Sequence, residues 1–522
     1  MEHIAIIDLG SNSVRFVIMH IDTDGTYKLV YQEKKSIRLS EGMINNSMAL
    51  TEAAQERALS CMKVYAHMAS VHHITHMIAV ATAAVRNASN GRDFLMRVRQ
   101  ETKIPLQVIT GKQEAELGYR GVVNTINAED FIMFDLGGAS IEISLIRNRQ
   151  RIESVSLPLG AVTVTEKFHS QKVISSDLKK SMRDYIRQYL HPLGWLKNHS
   201  LPIIGVGGTM RNIAKIHQKK IHYAIPKLHN YEIPCTDIFD LCSLICDKNY
   251  EERKKIPGLS SERADIIIAG VLIISELVRM TNPTKLIVSG CGLREGLFFH
   301  YYGPAYMNGR NYPRDMLLFS VLNYRHTLPL DDDRHSRYVT SLAVSMFDQW
   351  KTLHHLLPRD RQLLTASGLL HDTGKLINYY NHAAHSAYMI ANAHIFGLSH
   401  REQIMCALIA AFHHGYSGKM TRFISYYQVL NAQELTRVRR LSLFLSMAES
   451  LDATYEQCVK KLSCSIQEKS AYMDIELHHM NCDIARHSLE PLMPSFEKTF
   501  KKSLFLTWKT DMSDTAEDTH QK

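Results

Sequence analysis

Residues 4–9 read IAIIDL, residues 10–13 read GSNS and residues 14–19 read VRFVIM. Two apolar runs separated by a short polar, turn-forming stretch predict a strand, a tight turn and a returning strand. The pattern recurs at 131–146, where FIMFDL is followed by GGAS and IEISLI. An internal repeat of this kind predicts two related halves facing each other. Between the repeats, residues 51–70 form an amphipathic stretch with Thr51 as its cap. A strand-like HMIAVAT at 76–82 and a helical pattern at 91–102 follow. This alternation specifies an α/β unit. The second half continues the theme with PIIGVGGT at 202–209, a helix running on toward His217, and TKLIVSGCGLREG at 284–296.

The 522 residues exceed a single module. With 45% apolar and 22% charged residues the chain can bury sizeable cores. Lys and Arg outnumber Asp and Glu by 61 to 52, a formal +9, which suits an anionic partner such as a phosphorylated substrate, a nucleic acid or a membrane surface. There is no block of five basic residues and no recognisable nucleic-acid-binding module, so nucleic acid is not expected as a partner. The longest uncharged apolar run, 266–275, is too short to span a bilayer, and the first ten residues carry Glu2 and Asp8 but no Lys or Arg. Neither a membrane partner nor a secretory signal is expected. Nine scattered cysteines fit reduced thiols, and the chain is read as cytoplasmic.

Beyond about residue 305, strand-like runs give way to helical periodicity at 360–370, 403–411 and 435–451. A cluster of Gly303, Pro304, Gly309, Asn311 and Pro313 marks the boundary. Near residue 460 the pattern turns strand-like again, and the last dozen residues read as a disordered terminus. The expected domains are 1–128, 129–305, 306–458 and 459–522.

Asp8 ends a strand, and the turn Gly10, Ser11, Asn12 and Ser13 offers amides and hydroxyls to an anion. Asp135 ends the equivalent strand before Gly137, Gly138, Ala139 and Ser140, with Glu142 two residues on. There, glycine amides can approach phosphate oxygens, while Asp135 and Glu142 suit Mg²⁺. Gly207, Gly208 and Thr209 make a third cradle.

The turns DLGSNS, DLGGAS and GVGGT, so ordered, resemble the phosphate loops of the actin, sugar kinase and heat-shock chaperone ATPase superfamily. More narrowly, ATAAVRNASN at 81–90, TGKQEAELGYRGV at 110–122 and SGCGLREG at 289–296 resemble the exopolyphosphatase and guanosine pentaphosphate phosphohydrolase family. The resemblance implies two actin- or ribonuclease-H-like domains facing a cleft in the N-terminal half. It implies Glu114 as the catalytic glutamate that orients and deprotonates water, with Glu116 a rival by proximity, and Arg86 as a phosphate-binding arginine. Mg²⁺, or Mn²⁺ in its place, is the implied cofactor, and the family's general habit implies a homodimer. Where the family commonly carries a third glycine, this chain has Ala139, which would be strained if that position required positive φ.

LLHDTGK at 369–375 carries His371-Asp372, with His335 upstream, His385 and the pair His413-His414 downstream, and Asp452 in AESLDAT. This resembles an all-α HD metal-dependent phosphohydrolase domain and implies His335, His371, Asp372 and Asp452 as ligands of a second divalent metal. A small α+β domain would end the chain. Lys498, Lys501 and Lys502 there are candidates for guiding a long anionic polymer, although an ordinary solvated face accounts for them equally.

The function read from this is processive, Mg²⁺-dependent removal of terminal phosphate from inorganic polyphosphate. The alternatives are hydrolysis of guanosine pentaphosphate, phosphoryl transfer by a kinase of the same superfamily, and a non-catalytic polyphosphate or alarmone sensor.

Overall fold

The computed structural model describes residues 1–43, 46–171, 174–197, 199–330, 332–415, 426–478 and 483–510. The C-terminal stretch expected to be disordered lies outside them. The chain divides into two compact units, 1–316 and 317–522.

The first unit contains two sheets built on one plan. In the first, β1 (Glu2–Leu9), β2 (Ser13–Ile21) and β3 (Tyr27–Ser36) form an antiparallel meander. β4 (His76–Ala81) and β5 (Leu106–Val108) add parallel to it, in the order β3-β2-β1-β4-β5. In the second, β6 (Phe131–Leu136), β7 (Ile141–Arg147) and β8 (Gln150–Leu157) form the meander. β9 (Ile203–Val206) and β11 (Leu286–Val288) add parallel, and β10 (Tyr231–Ile233) closes the edge antiparallel. Setting that edge strand aside, the two orders coincide, which is the duplicated actin/ribonuclease-H-like architecture expected from the repeat. The registers coincide as well: Asp8 pairs with Arg15 where Asp135 pairs with Glu142.

Each sheet buries its faces under helices. Helix Glu52–Val71 is capped by Thr51, whose side chain accepts from the Ala54 amide, and it turns Ala54, Ala58, Leu59, Met62, Tyr65 and Ala69 onto the first sheet. That spacing is one helical face. The apolar run noted at 266–275 opens helix Ile267–Thr281, with Ile266 as its N-cap, and that helix is buried along nearly its whole length in the second core. Among the described residues no helix is long and apolar enough to cross a membrane. Helix Leu293–Tyr306, counted by sequence with the second half, returns to the first. There Tyr302 Oη donates to the Gly25 carbonyl at 2.6 Å, Tyr301 Oη donates to Glu2, and the Phe298 ring lies 4.8 Å from that of Tyr27.

The second unit is a helical bundle, with Arg334–Gln349, Pro358–Leu370, His382–Asn392, His400–Ala411 and Ala432–Leu451 as its main members. β12 (Val459–Ile466), β13 (Ser470–Leu477) and β14 (Ser503–Thr510) form a small sheet in the order β12-β13-β14. The α+β tail packs onto the helical bundle. Trp350 Nε1 donates to the Ser465 carbonyl, its ring packs 5.1 Å from Phe496, and Phe444 stacks on Phe500. Lys502 bonds the carbonyls of Gln467 and Glu468 across the tail sheet.

Candidate active site

The turn at 10–13 is closed by the Gly10 amide donating to the Ser13 carbonyl at 3.1 Å, and the turn at 137–140 by Gly137 donating to Ser140 at 2.9 Å. In the first, the Ser11 and Asn12 carbonyls accept from Ser40, Ile37 and Arg38. In the second, the Gly137 and Gly138 carbonyls accept from Ala161, Val162 and Thr163 at the start of helix Ala161–Phe168. A trans peptide points its amide opposite to its carbonyl. With the carbonyls drawn outward, the amides of Asn12, Ser13, Gly138 and Ala139 turn the other way, and Gly10–Ser13 and Gly137–Ser140 line opposite sides of one polar cleft.

Gly138 lies so close to the first turn that an added Cβ would come within 3.0 Å of Ser11 Cβ. The third cradle begins at Gly207, whose φ of +104° suits only glycine. Helix Gly208–Lys220 opens there without a side-chain cap, leaving free amides and the positive end of its dipole at the cleft. Ala139 is not among the residues with positive φ, so the missing third glycine costs no left-handed strain.

The cleft is also lined by Asp8, Arg15, Glu114, Asp135, Arg211, Arg263, Arg294 and Glu295. Glu114 sits in the first turn of helix Gly111–Val123, which is capped reciprocally by Thr110 and Gln113. That helix packs tightly against residues 292–296: a Cβ on Gly121 would come within 2.1 Å of the Gly292 carbonyl, and one on Gly296 within 1.7 Å of the Leu117 carbonyl. The SGCGLREG motif therefore fixes the seat of Glu114 and also delivers Arg294. Glu116, the rival carboxylate, is paired with Arg120 at 3.0 Å and Arg151 at 2.8 Å and does not line the cleft.

Burial dominates the electrostatics. It raises the Glu114 carboxyl to about 7, partly opposed by Arg86, whose Nη1 lies 3.0 Å from Glu114 Oε2, and reinforced by Asp135 and Asp8. Asp135 rises to about 6 through burial and the Asp8 charge, with Arg15 opposing. Asp8 rises for the same reason, offset by Arg15 and Arg294. The carboxylates are thus held together at a cost that cations in the cleft relieve.

Four expected site residues stand elsewhere than anticipated. Arg86 does not line the cleft: its Nη1 donates to Glu114 and to the Ile109 carbonyl, so it holds the glutamate. Thr209 is fully buried behind the third cradle, where its hydroxyl accepts from Arg263. Glu142 lies opposite Asp135 in the ladder but is 3% exposed and accepts from Ser156 Oγ at 2.8 Å. Burial, with Glu114 and Asp135 close by, pushes it well above the usual carboxylate range, so it does not present a free ligand to the cleft. Asp452, in the second unit, spends both oxygens on protein partners, Oδ2 on His335 Nδ1 at 2.7 Å and Oδ1 on the Gln457 amide at 2.8 Å.

Among the described residues, groups of three or more convergent His, Cys, Asp or Glu ligand atoms occur in the second unit and not in the cleft. They combine His335, His371 and Asp372 with Glu449, His382, His413 and His414. His385, noted from sequence, is not in these groups, whereas His382 is. Arg15 could have been found as the cross-strand partner of Asp8, and Arg294 lay inside a quoted motif. Arg263, in a short 3₁₀ turn, and Arg211 carried no pattern to find them by.

Such a cleft, with two amide-lined turns, a helix N-terminus, four arginines and a buried glutamate, defines a phosphoryl-handling protein of the actin-like class. The profile of the Ppx/GppA phosphatase family matches residues 17–303, and that of Ppx/GppA phosphatase, domain III, matches residues 320–490. The chain belongs to the Ppx/GppA phosphatase family and is a hydrolase of phosphoanhydride bonds. An exopolyphosphatase from Cytophaga hutchinsonii ATCC 33406 is similar with a TM-score of 0.54 at 26% identity, over 58% of this chain and 98% of that one. The Aquifex aeolicus Ppx/GppA family member is similar with a TM-score of 0.51 at 28% identity, over 59% and 99%.

Proposed function

We propose that the cleft removes the terminal phosphate of inorganic polyphosphate. The observation that carries the reading is Glu114, a carboxylate raised to about 7 and facing a cradle of amides and arginines. A water attacks the terminal phosphorus in line, the phosphoanhydride bond breaks, and the water's proton passes to a Glu114 carboxylate oxygen while Arg86 keeps that side chain in place. The amides of the two turns and of Gly208 hold the equatorial oxygens. Arg15, Arg211, Arg263 and Arg294 balance the charge that develops. A Mg²⁺ ion would be held by Asp135 together with phosphate oxygens and water, supplying Lewis-acid neutralisation of the phosphates.

The cleft's described lining contains no aromatic ring on which a guanine could stack. That favours a bare polyphosphate over guanosine pentaphosphate, although the family's name covers both activities. The test compares phosphate release from long-chain polyphosphate and from guanosine pentaphosphate, with Mg²⁺ and no acceptor. Release from polyphosphate alone or faster supports the reading, and release from the nucleotide alone replaces it with the second activity. Dependence on an acceptor would make the protein a kinase, and binding without release would make it a sensor.

A further inference from the structure

The second unit gathers seven ligand-type side chains that the cleft does not use. They come from three helices and from the segments that follow two others. His335 lies on Arg334–Gln349, His371 and Asp372 follow Pro358–Leu370, His382 opens His382–Asn392, His413 and His414 follow His400–Ala411, and Glu449 lies on Ala432–Leu451. Their order and orientation are informative. His371 Nδ1 meets the Gly368 carbonyl at 2.6 Å, His382 Nδ1 the Tyr379 carbonyl at 2.9 Å, and His413 Nδ1 the Ala410 carbonyl at 2.6 Å. His335 Nδ1 meets Asp452 Oδ2 at 2.7 Å. A carbonyl or carboxylate oxygen only accepts, so each of these Nδ1 atoms carries a proton, and in its neutral form each ring presents a lone pair on Nε2.

Those lone pairs converge. His382 Nε2 lies 3.0 Å from His413 Nε2 and 3.3 Å from His414 Nε2. Two lone pairs at the His382–His413 distance repel unless a cation lies between them, and His414 Nε2 faces the same point. His335 Nε2, His371 Nε2, Asp372 Oδ1 and Glu449 Oε2 are all buried without a hydrogen-bond partner. His371 is fully buried and Glu449 is 7% exposed, so water does not serve them instead. Leaving such atoms unsatisfied is costly, and a metal ion satisfies several at once. A ring Nδ1–H anchored on an oxygen with Nε2 aimed inward is the arrangement that fixes a metal-binding imidazole.

The distances divide the cluster in two. Asp372 Oδ2 faces His371 Nε2 at 3.6 Å and His335 Nε2 at 3.7 Å, while Glu449 Oε2 lies 3.1 Å and 3.3 Å from the same two nitrogens. Asp372 Oδ1 faces the other way, toward His382 Nε2 at 3.3 Å and His413 Nε2 at 3.9 Å. Metal–nitrogen bonds of about 2.1 Å in tetrahedral or octahedral geometry put neighbouring ligand atoms roughly 3.0–3.4 Å apart, so the gaps are close to the edges of two coordination shells.

We propose that the second unit holds a two-ion centre: one divalent ion on His335, His371 and Glu449, a second on His382, His413 and His414, with Asp372 bridging the two through its separate oxygens. Five imidazoles select first-row transition ions over Mg²⁺, which prefers an all-oxygen shell. Asp452 orients His335 and is not itself a ligand. Lys375, paired with Asp372 and with Tyr455 Oη, is a nearby cation that the ions would displace or lean on.

The test uses the full chain, stripped with a chelator and dialysed against Co²⁺ in the presence of millimolar Mg²⁺, which occupies the cleft. Bound Co²⁺ is counted by elemental analysis, and its ligand-field bands are read in the visible. The expected result is two ions per chain, falling to one in His382→Gln, with a thermal midpoint of the native chain that climbs with Co²⁺ concentration. The midpoint needs no variant and guards against a substitution that merely unfolds the bundle. One ion in the native chain overturns the pair, none overturns the centre, and two ions retained in a folded His382→Gln overturn the assignment of the second shell.

Discussion

A residue that must take a proton from water during phosphoryl transfer serves best when its own affinity for protons matches the working pH. Burial sets Glu114 there, at about 7, with Arg86 limiting the rise. As the base must start deprotonated, kcat/KM for phosphate release should climb with pH through about 7 and level above it. Glu114→Gln, which keeps the shape but cannot take the proton, should cost about two to four decades of rate and abolish that limb. A loss smaller than tenfold would remove Glu114 from the reaction. The same raised carboxyls bear on stability. Asp135, near 6 when folded against 3.8 for a freely exposed aspartate, binds its proton more tightly in the native chain than in the unfolded one. Its contribution is therefore fully present below about pH 3.8 and is lost as pH rises through about 6, about 1–3 kcal/mol in the absence of a divalent ion. Metal-free protein should melt lower at pH 8 than at pH 5, and Asp135→Asn should flatten the difference. An unchanged slope in the variant would mean that other groups dominate.

The turns that present the amides depend on a few close approaches between elements. Gly160 precedes helix Ala161–Phe168, and a Cβ on it would come within 2.0 Å of the Gly138 carbonyl. Gly160→Ala should push the second turn away from that helix, destabilise the unit by about 1–3 kcal/mol and raise KM for polyphosphate, whereas a silent variant would show that the helix does not hold the turn. These turns were legible in the sequence because an apolar run broken by a glycine-bearing polar tetrad is a strong local signal, and its repetition made it stronger. β3 was not legible as a strand, since YKLVYQEKKS is largely solvent-facing at a sheet edge and has no apolar alternation to declare it. β5, β10 and β11 are three residues each, too short for any periodicity. In the second unit, His371-Asp372 was legible as a dipeptide, but the choice between Glu449 and Asp452 was not. The two lie three residues apart at one helix end, so both point to the same side. What separates them is the helix terminus: Asp452 is the C-cap and is taken up by the Gln457 amide and His335, leaving Glu449 to face the histidines. Arg86 was legible as a functional residue, but sequence does not reveal that its Nη1 holds Glu114.

At the scale of the whole molecule, the two solved relatives are matched over 98–99% of their own length by 58–59% of this chain. Those relatives therefore carry the actin-like pair of domains with little else, and the present chain carries a second compact unit beyond it. Unit 1 has its own cores on both sheets, its return helix Leu293–Tyr306 closes back on β1 and β3, and every cleft-lining residue falls before residue 296. A chain of residues 1–316 should accordingly fold cooperatively and release phosphate from polyphosphate with a kcat within about tenfold of the full protein, since chemistry that rests on positioning and charge follows the groups that supply it. A larger effect on KM than on kcat would assign unit 2 to holding the distal polymer, where the charge of a long anion extends past the cleft. A folded fragment with no turnover would instead mean that the catalytic arrangement is completed from outside unit 1, and would move the centre of the mechanism away from Glu114 and its two turns.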